Sequence, residues 1–474
     1  MEKKRPSLEE LFSPRGVAVV GASPTARSSY AIHVVQFLQE VGFPAIYPVN
    51  PNYTEILGLP CYPNLRAIPG VVDHVVVSIS AESALVLLDD CAAKGVKSVQ
   101  FFTAGFSESG YMERAELEKA MLSKARAGGF RIIGPNCVGL FVPSSRLVST
   151  TARPIEPGPI AFICQSGGHA GNLPYFSGPR GLRFSKVVSY GNALDVDESE
   201  LLQYLSQDPE TEIIAAYIEG VKDGRRFMKA LKGAVERKPV VIYKGGTTEA
   251  GRRAAQGHTA SLTSSVAVFN AVCRQMKTIQ VEDLQELIDV LVALRFTRPL
   301  PRGTGVAVMG SGGGPSVLAS DEMEKAGLRM PRLSPQVQAQ LREFLPLAGS
   351  IFSNPVDAPT LVSPEAISST MRVLGEVPDI NMLIYHMGFH PLSRWGDGRH
   401  SSPTFLQPAI DAMTQAQQAM GKPVLLVLYP APDLAGTKDF LAVQEAFVEA
   451  GFPVFHSMRQ VARAMAQVVA WNQM

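Results

Sequence analysis

VVIYKGGTTEAGRRAAQGHTASLTSS, residues 240–265, is the stretch from which the rest of the chain is interpreted. Its apolar start predicts a buried parallel strand that ends at Gly245 and Gly246. A short helix then leads to His258, and a further helix is predicted to begin near Ser265. We therefore expect the His258 imidazole on a turn close to a helix N-terminus, where free N–H groups and the helix dipole favour phosphate or another anion.

A histidine in this position has three possible roles, and the local sequence does not choose among them. It can be a nucleophile that carries phosphate, a metal ligand or an ordinary turn residue. Glu219 closes a predicted strand over residues 212–220, where active-site groups often collect. A carboxylate there could orient an imidazole or stabilise its charged form, and a solvated strand end is the alternative.

Composition restricts the class of protein. A length of 474 residues predicts about three domains, and 46% hydrophobic with 18% charged residues is typical of packed domains with buried sheets. A net charge of +1 gives no global field that would attract nucleic acid or anionic lipid. Five single cysteines without a CxxC pair favour a reducing compartment and argue against a structural metal. With no signal-like or membrane-length apolar run, we expect a cytoplasmic protein.

The first 150 residues alternate predicted strands and helices, which indicates a parallel sheet of Rossmann type. Ligands of such sheets lie beyond the carboxyl ends of the strands. The candidate residues there are small or polar: Gly21, Ala22, Ser23, Asn50, Pro51, Ser78, Ile79, Ala104, Gly105 and Asn136. The turn after Gly21 lacks GxGxxG and the second strand ends without an acidic residue, so NAD is disfavoured and another nucleotide-bearing ligand stays open.

Two further α/β units follow. After a Pro- and Gly-bearing stretch, a strand leads into Gln165-Ser166-Gly167-Gly168 and a helix, which is a geometry that can hold phosphate. After a linker at residues 297–305, a third unit begins with a strand and the glycine run 310–314, which could hold phosphate or permit close packing. We predict three parallel-sheet domains, over residues 1–150, 151–298 and 303–474.

A set of motifs in this order resembles the NDP-forming acyl-CoA synthetases, and among them the alpha subunits of ADP-forming acetate–CoA ligases. The motifs extend over nearly the whole chain. They are LFSPRGVAVVGAS (11–23), YPVNPNYTEILGLPCYPNL (47–65), TAGFSESG (103–110), IGPNCVGL (133–140), CQSGG (164–168), YGNALDVDESELLQYLSQDPET (190–211), YIEGVKDGRRF (217–227), GGTTEAGRRAAQGHTASL (245–262), GSGGGPSVLASDEMEKAGL (310–328) and NPVD (354–357).

The resemblance implies a CoA-binding Rossmann domain followed by two succinyl-CoA-ligase-like, flavodoxin-like domains. His258 matches the histidine that carries phosphate, and Glu219 matches the glutamate that stabilises phosphohistidine. Ser166, Gly167, Gly168 and Thr259 match the phosphate and acyl-phosphate pocket. The implied reaction is acid + CoA + ATP to acyl-CoA + ADP + phosphate, through an acyl phosphate. No metal site of the chain's own is predicted.

The resemblance also implies a partner, because the ATP-grasp part of the family does not occur in these 474 residues. We expect a separately encoded ATP-grasp beta subunit that holds most of ATP or ADP with Mg²⁺. A hetero-oligomer such as α2β2 follows from that expectation. The substrates would be CoA and a small carboxylic acid, with no nucleic acid and no membrane as partner.

Departures from the family pattern keep a second function open. HTGSLAG becomes HTASLTS with Ala260, Thr263 and Ser264, QSGALG becomes QSGGHAG with His169, and GNKADVD becomes GNALDVD with Ala193. These changes predict either a different acid or weakened phosphate transfer. The alternative is a non-catalytic regulatory paralogue that binds CoA or acyl-CoA. Neither the acid nor the preference for ADP over GDP follows from the sequence.

Overall fold

The computed structural model describes residues 5–24, 30–259, 265–388, 403–431 and 434–473. The chain forms two compact units. Unit 1 comprises the residues up to Gly178 together with Arg183–Glu282. Unit 2 comprises Pro179–Leu182 together with the residues from Asp283 onward. The three predicted domain ranges stay a prediction, since these units divide the chain at different positions.

Unit 1 contains fourteen strands and nine helices among its described residues. The strands are β1 (Val17–Val20), β2 (Ile46–Val49), β3 (Glu55–Ile56), β4 (Leu59–Pro60), β5 (His74–Val77), β6 (Ser98–Phe101), β7 (Arg131–Ile133), β8 (Leu140–Val142), β9 (Leu147–Val148), β10 (Pro157–Cys164), β11 (Phe184–Ser189), β12 (Ile213–Ile218), β13 (Val240–Lys244) and β14 (Ile279–Val281). The helices are α1 (Leu8–Phe12), α2 (Tyr30–Glu40), α3 (Ala81–Lys94), α4 (Met112–Gly128), α5 (Gly167–Ser177), α6 (Glu198–Leu205), α7 (Gly224–Val235), α8 (Glu249–Thr259) and α9 (Val266–Gln275).

A five-stranded sheet of unit 1 has the order β2-β1-β5-β6-β7, and its paired strands are all parallel. After β2 the chain crosses to the other side of β1 to form β5. The strand order therefore reverses at β1, which is the kind of switch point where ligands of open α/β sheets bind. The turns after β1 and β5 flank that crevice, as the strand pattern predicts.

The seven-stranded sheet of unit 1 has the order β14-β13-β12-β10-β11-β8-β9. Strands β10 to β14 run parallel, while β8 joins β11 in the antiparallel sense. One buried apolar cluster contains Val19 of β1 as well as Ile163 of β10 and Ile214 of β12. Val20 belongs to a second cluster because successive side chains of a strand point to opposite faces. The shared cluster explains why two sheets form a single unit.

Unit 2 contains a third sheet, of order β16-β17-β15-β18-β19-β20, parallel except at β16. Its elements are α10 (Leu284–Phe296), β15 (Val306–Gly310), α11 (Gly313–Lys325), α12 (Pro335–Arg342), β16 (Ile351–Phe352), β17 (Val356–Asp357), α13 (Pro364–Gly375), β18 (Met382–Gly388), α14 (Pro403–Met420), β19 (Val424–Tyr429), α15 (Leu434–Glu449), β20 (Val454–Phe455) and α16 (Met458–Asn472).

A buried ion pair holds the short segment Pro179–Leu182 within unit 2. The Arg180 guanidinium donates to the Asp289 carboxylate on α10 and to the Val454 carbonyl on β20. Because a buried charge is tolerated only when it is paired, this contact assigns both the segment and α10 to unit 2. Across the part of the chain that the structure describes, no helix has the length and apolarity needed to cross a membrane.

Candidate functional site

The predicted CoA-binding residues lie together at the carboxyl edge of the five-stranded sheet. Residues 21–23 follow β1 and residues 50–51 follow β2, and the Asn50 amide donates to the Ala22 carbonyl at 2.8 Å. Residues 78–79 follow β5, and the Thr103 hydroxyl after β6 donates to the Ile79 carbonyl at 2.7 Å. These hydrogen bonds connect the turns to each other, so the edge is a single surface formed by several strands.

The loop after β10 forms the predicted phosphate-binding geometry. Ser166 caps α5, because its Oγ accepts from the His169 N–H at 3.4 Å. The first N–H groups of a helix have no partner inside the helix, so those of Gly167 and Gly168 are directed at the space before α5. Residues 165–168 are called the phosphate loop below. Gly167 is required by close packing, since a Cβ at that position would lie 2.9 Å from Val138 Cγ1.

A cavity of about 530 Å³ lies between the edge of the five-stranded sheet and the phosphate loop. Both sides of it belong to unit 1. Its described lining comprises Ser78, Ile79, Ser80, Phe102, Thr103, Ala104, Asn136, Cys137, Val138, Ser166, Gly167 and Gly168. Four of the predicted CoA-binding residues and three of the predicted phosphate-binding residues therefore share one cavity. Gly21, Ala22, Ser23, Asn50, Pro51 and Gly105 lie at the same edge, outside this lining.

Glu219 directly follows β12 and is 5% exposed, so the alternative of a solvated strand end does not describe it. The Tyr217 hydroxyl donates to Glu219 Oε1 at 3.1 Å. The Gln165 side-chain oxygen accepts from the N–H groups of Glu219 and Gly220, at 3.0 Å for Gly220. The Gln165 side chain thus connects the phosphate loop to the backbone of Glu219. This contact is possible because β10 and β12 are neighbours in the sheet.

Lys244, the last residue of β13, brings a buried positive charge to the same edge. Its ammonium donates to the carbonyls of Glu219, at 2.6 Å, and Gly245. Burial lowers the pKa of Lys244 to about 8, while the Glu219 carboxylate acts in the opposite direction. The break at Gly245 also has a packing reason, since a Cβ there would lie 2.5 Å from the Tyr217 hydroxyl.

The side chains of His258 and Thr259 lie outside the described residues, but their backbone is placed. The prediction of a turn at His258 was wrong, because α8 (Glu249–Thr259) includes His258. The helix α8 follows β13, the neighbour of β12, and it lies against the 3-10 helix Ser107–Ser109. The predicted helix after Ser265 is confirmed as α9. Residues 260–264, which contain the departures Ala260, Thr263 and Ser264, are outside the described parts, as are residues 25–29.

The sequence indicated Gln165 only as part of the loop after β10, and it did not single out Tyr217 or Lys244. Gln165 follows β10, Tyr217 is the next-to-last residue of β12 and Lys244 is the last residue of β13, and this position at the end of a buried parallel strand was the signal available in the sequence. Ala193, the other described departure, adopts φ 51° in the turn after β11, and the Lys222 ammonium donates to its carbonyl at 3.0 Å. Among the residues described, no cluster of His, Cys, Asp and Glu is suited to hold a metal ion.

Three family descriptions match the chain in the order of its three sheets. They are a CoA binding domain over residues 15–143, a succinyl-CoA ligase like flavodoxin domain over 157–294 and a ligase-CoA domain over 306–392. The alpha subunit of ADP-forming acetate–CoA ligase II from Pyrococcus furiosus is 37% identical over 377 residues, which are 80% of this chain and 81% of that subunit. The chain belongs to the NDP-forming acyl-CoA synthetase family.

Other members of the NDP-forming acyl-CoA synthetases agree with this assignment. ADP-forming acetate–CoA ligase I from Archaeoglobus fulgidus is 36% identical over 80% of this chain, which spans 54% of that protein's length. A solved structure of dinucleotide-forming acetyl-coenzyme A synthetase 1 from Ca. Korarchaeum cryptofilum, in complex with phosphate and ADP, is 29% identical and superimposes with a TM-score of 0.82 over 98% of this chain and 97% of that one. The predicted family, α/β fold class and ligase class of enzyme are confirmed.

Proposed function

We propose that this chain is the CoA-binding and phosphate-carrying alpha subunit of an ADP-forming acyl-CoA synthetase. The observation that carries the proposal is the shared cavity of about 530 Å³, which adjoins both the CoA-binding edge and the phosphate loop. A thioester bond forms between CoA and an activated acid, so the thiol and the acyl phosphate must meet. A cavity open to both sets of residues supports that meeting.

The proposed sequence has three transfers. The terminal phosphoryl group of ATP passes to a ring nitrogen of His258 and ADP leaves. An oxygen of the acid's carboxylate attacks that phosphorus, the P–N bond breaks, and an acyl phosphate forms. The CoA sulfur then attacks the acyl carbon, phosphate leaves, and the thiol proton passes to solvent. ATP with Mg²⁺ would be held mainly by a separate ATP-grasp beta subunit, as in an α2β2 assembly.

The chain's own residues have defined tasks in this sequence. The N–H groups of Gly167 and Gly168, at the positive end of α5, favour a phosphate or an acyl phosphate. Glu219 would stabilise the charge of the phosphorylated imidazole, since its carboxylate is buried and accepts from the Tyr217 hydroxyl, while Gln165 accepts from its backbone N–H. The backbone places His258 on the helix that follows the strand next to Glu219.

Intact-mass measurement after incubation with the co-expressed ATP-grasp partner, Mg²⁺ and ATP tests the proposal. We expect an acid-labile gain of one phosphate in the wild type and in His33→Ala, a matched control on α2, but not in His258→Ala. A wild-type chain that is folded and binds CoA yet gains no phosphate would contradict the proposal. That result would favour the non-catalytic CoA-binding paralogue instead.

A further inference from the structure

His169 directly follows the phosphate loop, where the family pattern has an apolar residue. It is the third residue of α5, and its N–H donates to the capping Ser166 Oγ. The Cα–Cβ bonds of a helix tilt toward its N-terminus, so a side chain in the first turn stays close to the loop that precedes it. An imidazole has therefore been added beside the groups that would bind phosphate.

The His169 imidazole packs against aromatic rings and interacts with the Glu219 carboxylate. Its ring packs edge-to-face on Tyr217 of β12, with the ring centroids 4.7 Å apart, and lies 6.2 Å from the ring of Tyr243 of β13. The Tyr217 hydroxyl donates its hydrogen bond to Glu219. The Nδ1 atom of His169 is buried and has no hydrogen-bond partner among the described residues. A buried ring nitrogen without a partner is costly unless a ligand or a proton uses it.

Two opposing effects act on the protonation of this ring. Burial lowers the pKa of His169, and the Glu219 carboxylate raises it, with burial the larger of the two. Lys244 is a cation that interacts with the Glu219 carboxylate, and its ammonium donates to the carbonyls of Glu219 and Gly245. The resting imidazole is therefore neutral near pH 7. A dianion bound before α5 would reverse the balance, because it favours a positive charge next to it.

We propose that His169, which directly follows the phosphate loop, is a proton-accepting residue for an anion bound there. Its unpartnered Nδ1 takes up one proton from solvent when a dianion binds before α5 and returns that proton when the dianion leaves. The inference rests on the proposed function, since it takes residues 165–168 as the phosphate-binding loop. The added imidazole would thus compensate charge during phosphate transfer, which the apolar residue of the family pattern cannot do.

Calorimetric titration of the full chain with sodium sulfate tests this, because sulfate is a dianion that does not itself titrate near neutral pH. Measurements at pH 6.5 in two buffers of different ionisation enthalpy give the number of protons taken up. At this pH Lys244, whose pKa is about 8, is already mostly protonated. Repeating the titrations in a His258→Asn background removes the other imidazole of the site. His33→Gln is the matched control, because it removes an imidazole on α2 instead.

We expect the wild type and His33→Gln to take up roughly half a proton more per sulfate than His169→Gln. His169→Gln should bind sulfate about fivefold more weakly at pH 6.5 and almost equally at pH 8.5, because the lost charge pair exists only at the lower pH. His169→Phe, which keeps the packing on Tyr217, should behave like His169→Gln.

Three results would overturn the inference. Equal proton uptake in the wild type and His169→Gln, with sulfate bound, would refute it and leave the proposed function intact. Loss of sulfate affinity in His169→Gln by the same factor at pH 6.5 and pH 8.5, with affinity kept in His169→Phe, would show that His169 has only a packing role. Absence of sulfate binding to the wild type would refute the phosphate loop itself, which is the part of the proposed function that this inference uses.

Discussion

Replacing Gln165 by Met removes one acceptor on which two buried N–H groups depend. The Gln165 side-chain oxygen accepts from the N–H groups of Glu219 and Gly220, and Gln165 is only 4% exposed. Methionine has a similar length and no comparable acceptor. The substitution therefore leaves the packing volume nearly unchanged while both amides lose their partner.

The magnitude follows from the cost of an unpaired buried donor, which is about 1–3 kcal/mol for each group. Two donors give about 2–6 kcal/mol, reduced where the strand end moves enough to find water. We expect the free energy of unfolding of unit 1 to fall by at least about 2 kcal/mol. The loss should be local at first, because β12 ends at Ile218 and the two amides lie just beyond it.

Urea denaturation at pH 7 measures the loss of global stability. Hydrogen exchange of the native chain, in the peptide that covers residues 213–220, measures the local opening. A local opening that is easier by about 1.4 kcal/mol corresponds to roughly tenfold faster exchange of these amides. Gln203→Met on the exposed face of α6 is the matched control and should change stability by less than about 0.5 kcal/mol. A Gln165→Met chain as stable as that control, with unchanged exchange, would refute the reasoning.

Three further substitutions test the site and its surroundings. Tyr217→Phe keeps the ring but removes the donor to the buried Glu219 carboxylate, so we expect a loss of about 1.5–3 kcal/mol in urea denaturation, with the exposed Tyr175→Phe as control. Gly167→Ala brings a methyl group to 2.9 Å from Val138, so we expect weaker CoA binding by calorimetry, whereas the methyl group of Gly168→Ala meets only Ser166 Oγ, at an ordinary contact distance of 3.8 Å. Burial raises the pKa of Glu198 to about 7; the folded carboxyl keeps its proton while the unfolded one ionises above about 4.5. The free energy of unfolding of the wild type therefore decreases as the pH rises from about 4.5 to about 7. Relative to the wild type, Glu198→Gln should be more stable by up to about 3 kcal/mol at pH 8, with little difference at pH 4.5.

Each of these expectations has an outcome that contradicts it. Tyr217→Phe as stable as Tyr175→Phe would mean that the hydroxyl does not stabilise the carboxylate. Equal CoA affinity in the two glycine variants would mean that contact with Val138 does not shape the cavity. A stability difference between Glu198→Gln and wild type that is independent of pH would mean that the carboxyl does not titrate in the predicted window.

The prediction of His258 on a turn shows where local signals were insufficient. The prediction ended the helix before His258, yet α8 includes both Gly257 and His258. A glycine inside a helix costs only about 1 kcal/mol relative to alanine, which neighbouring packing readily offsets. The hydrogen bonds of Gln165 escaped prediction for another reason. These hydrogen bonds join residues that are separated by 54 and 55 positions in the sequence. The bonds form because β10 and β12 are neighbours in the sheet although they are not consecutive in the sequence.

By itself, the sequence determined the elements and their class. Apolar runs that end in glycine or small polar residues mark buried parallel strands, because both faces of such strands are covered, and the motifs in order identified the family. Only the tertiary structure decided which strand ends meet. The order β13-β12-β10 brings Lys244, Glu219 and Gln165 to one edge. A core shared by two sheets brings Val138 against Gly167 and so forms the cavity. Strand order depends on how helices and sheets pack over the whole unit, and no local run of residues contains that information.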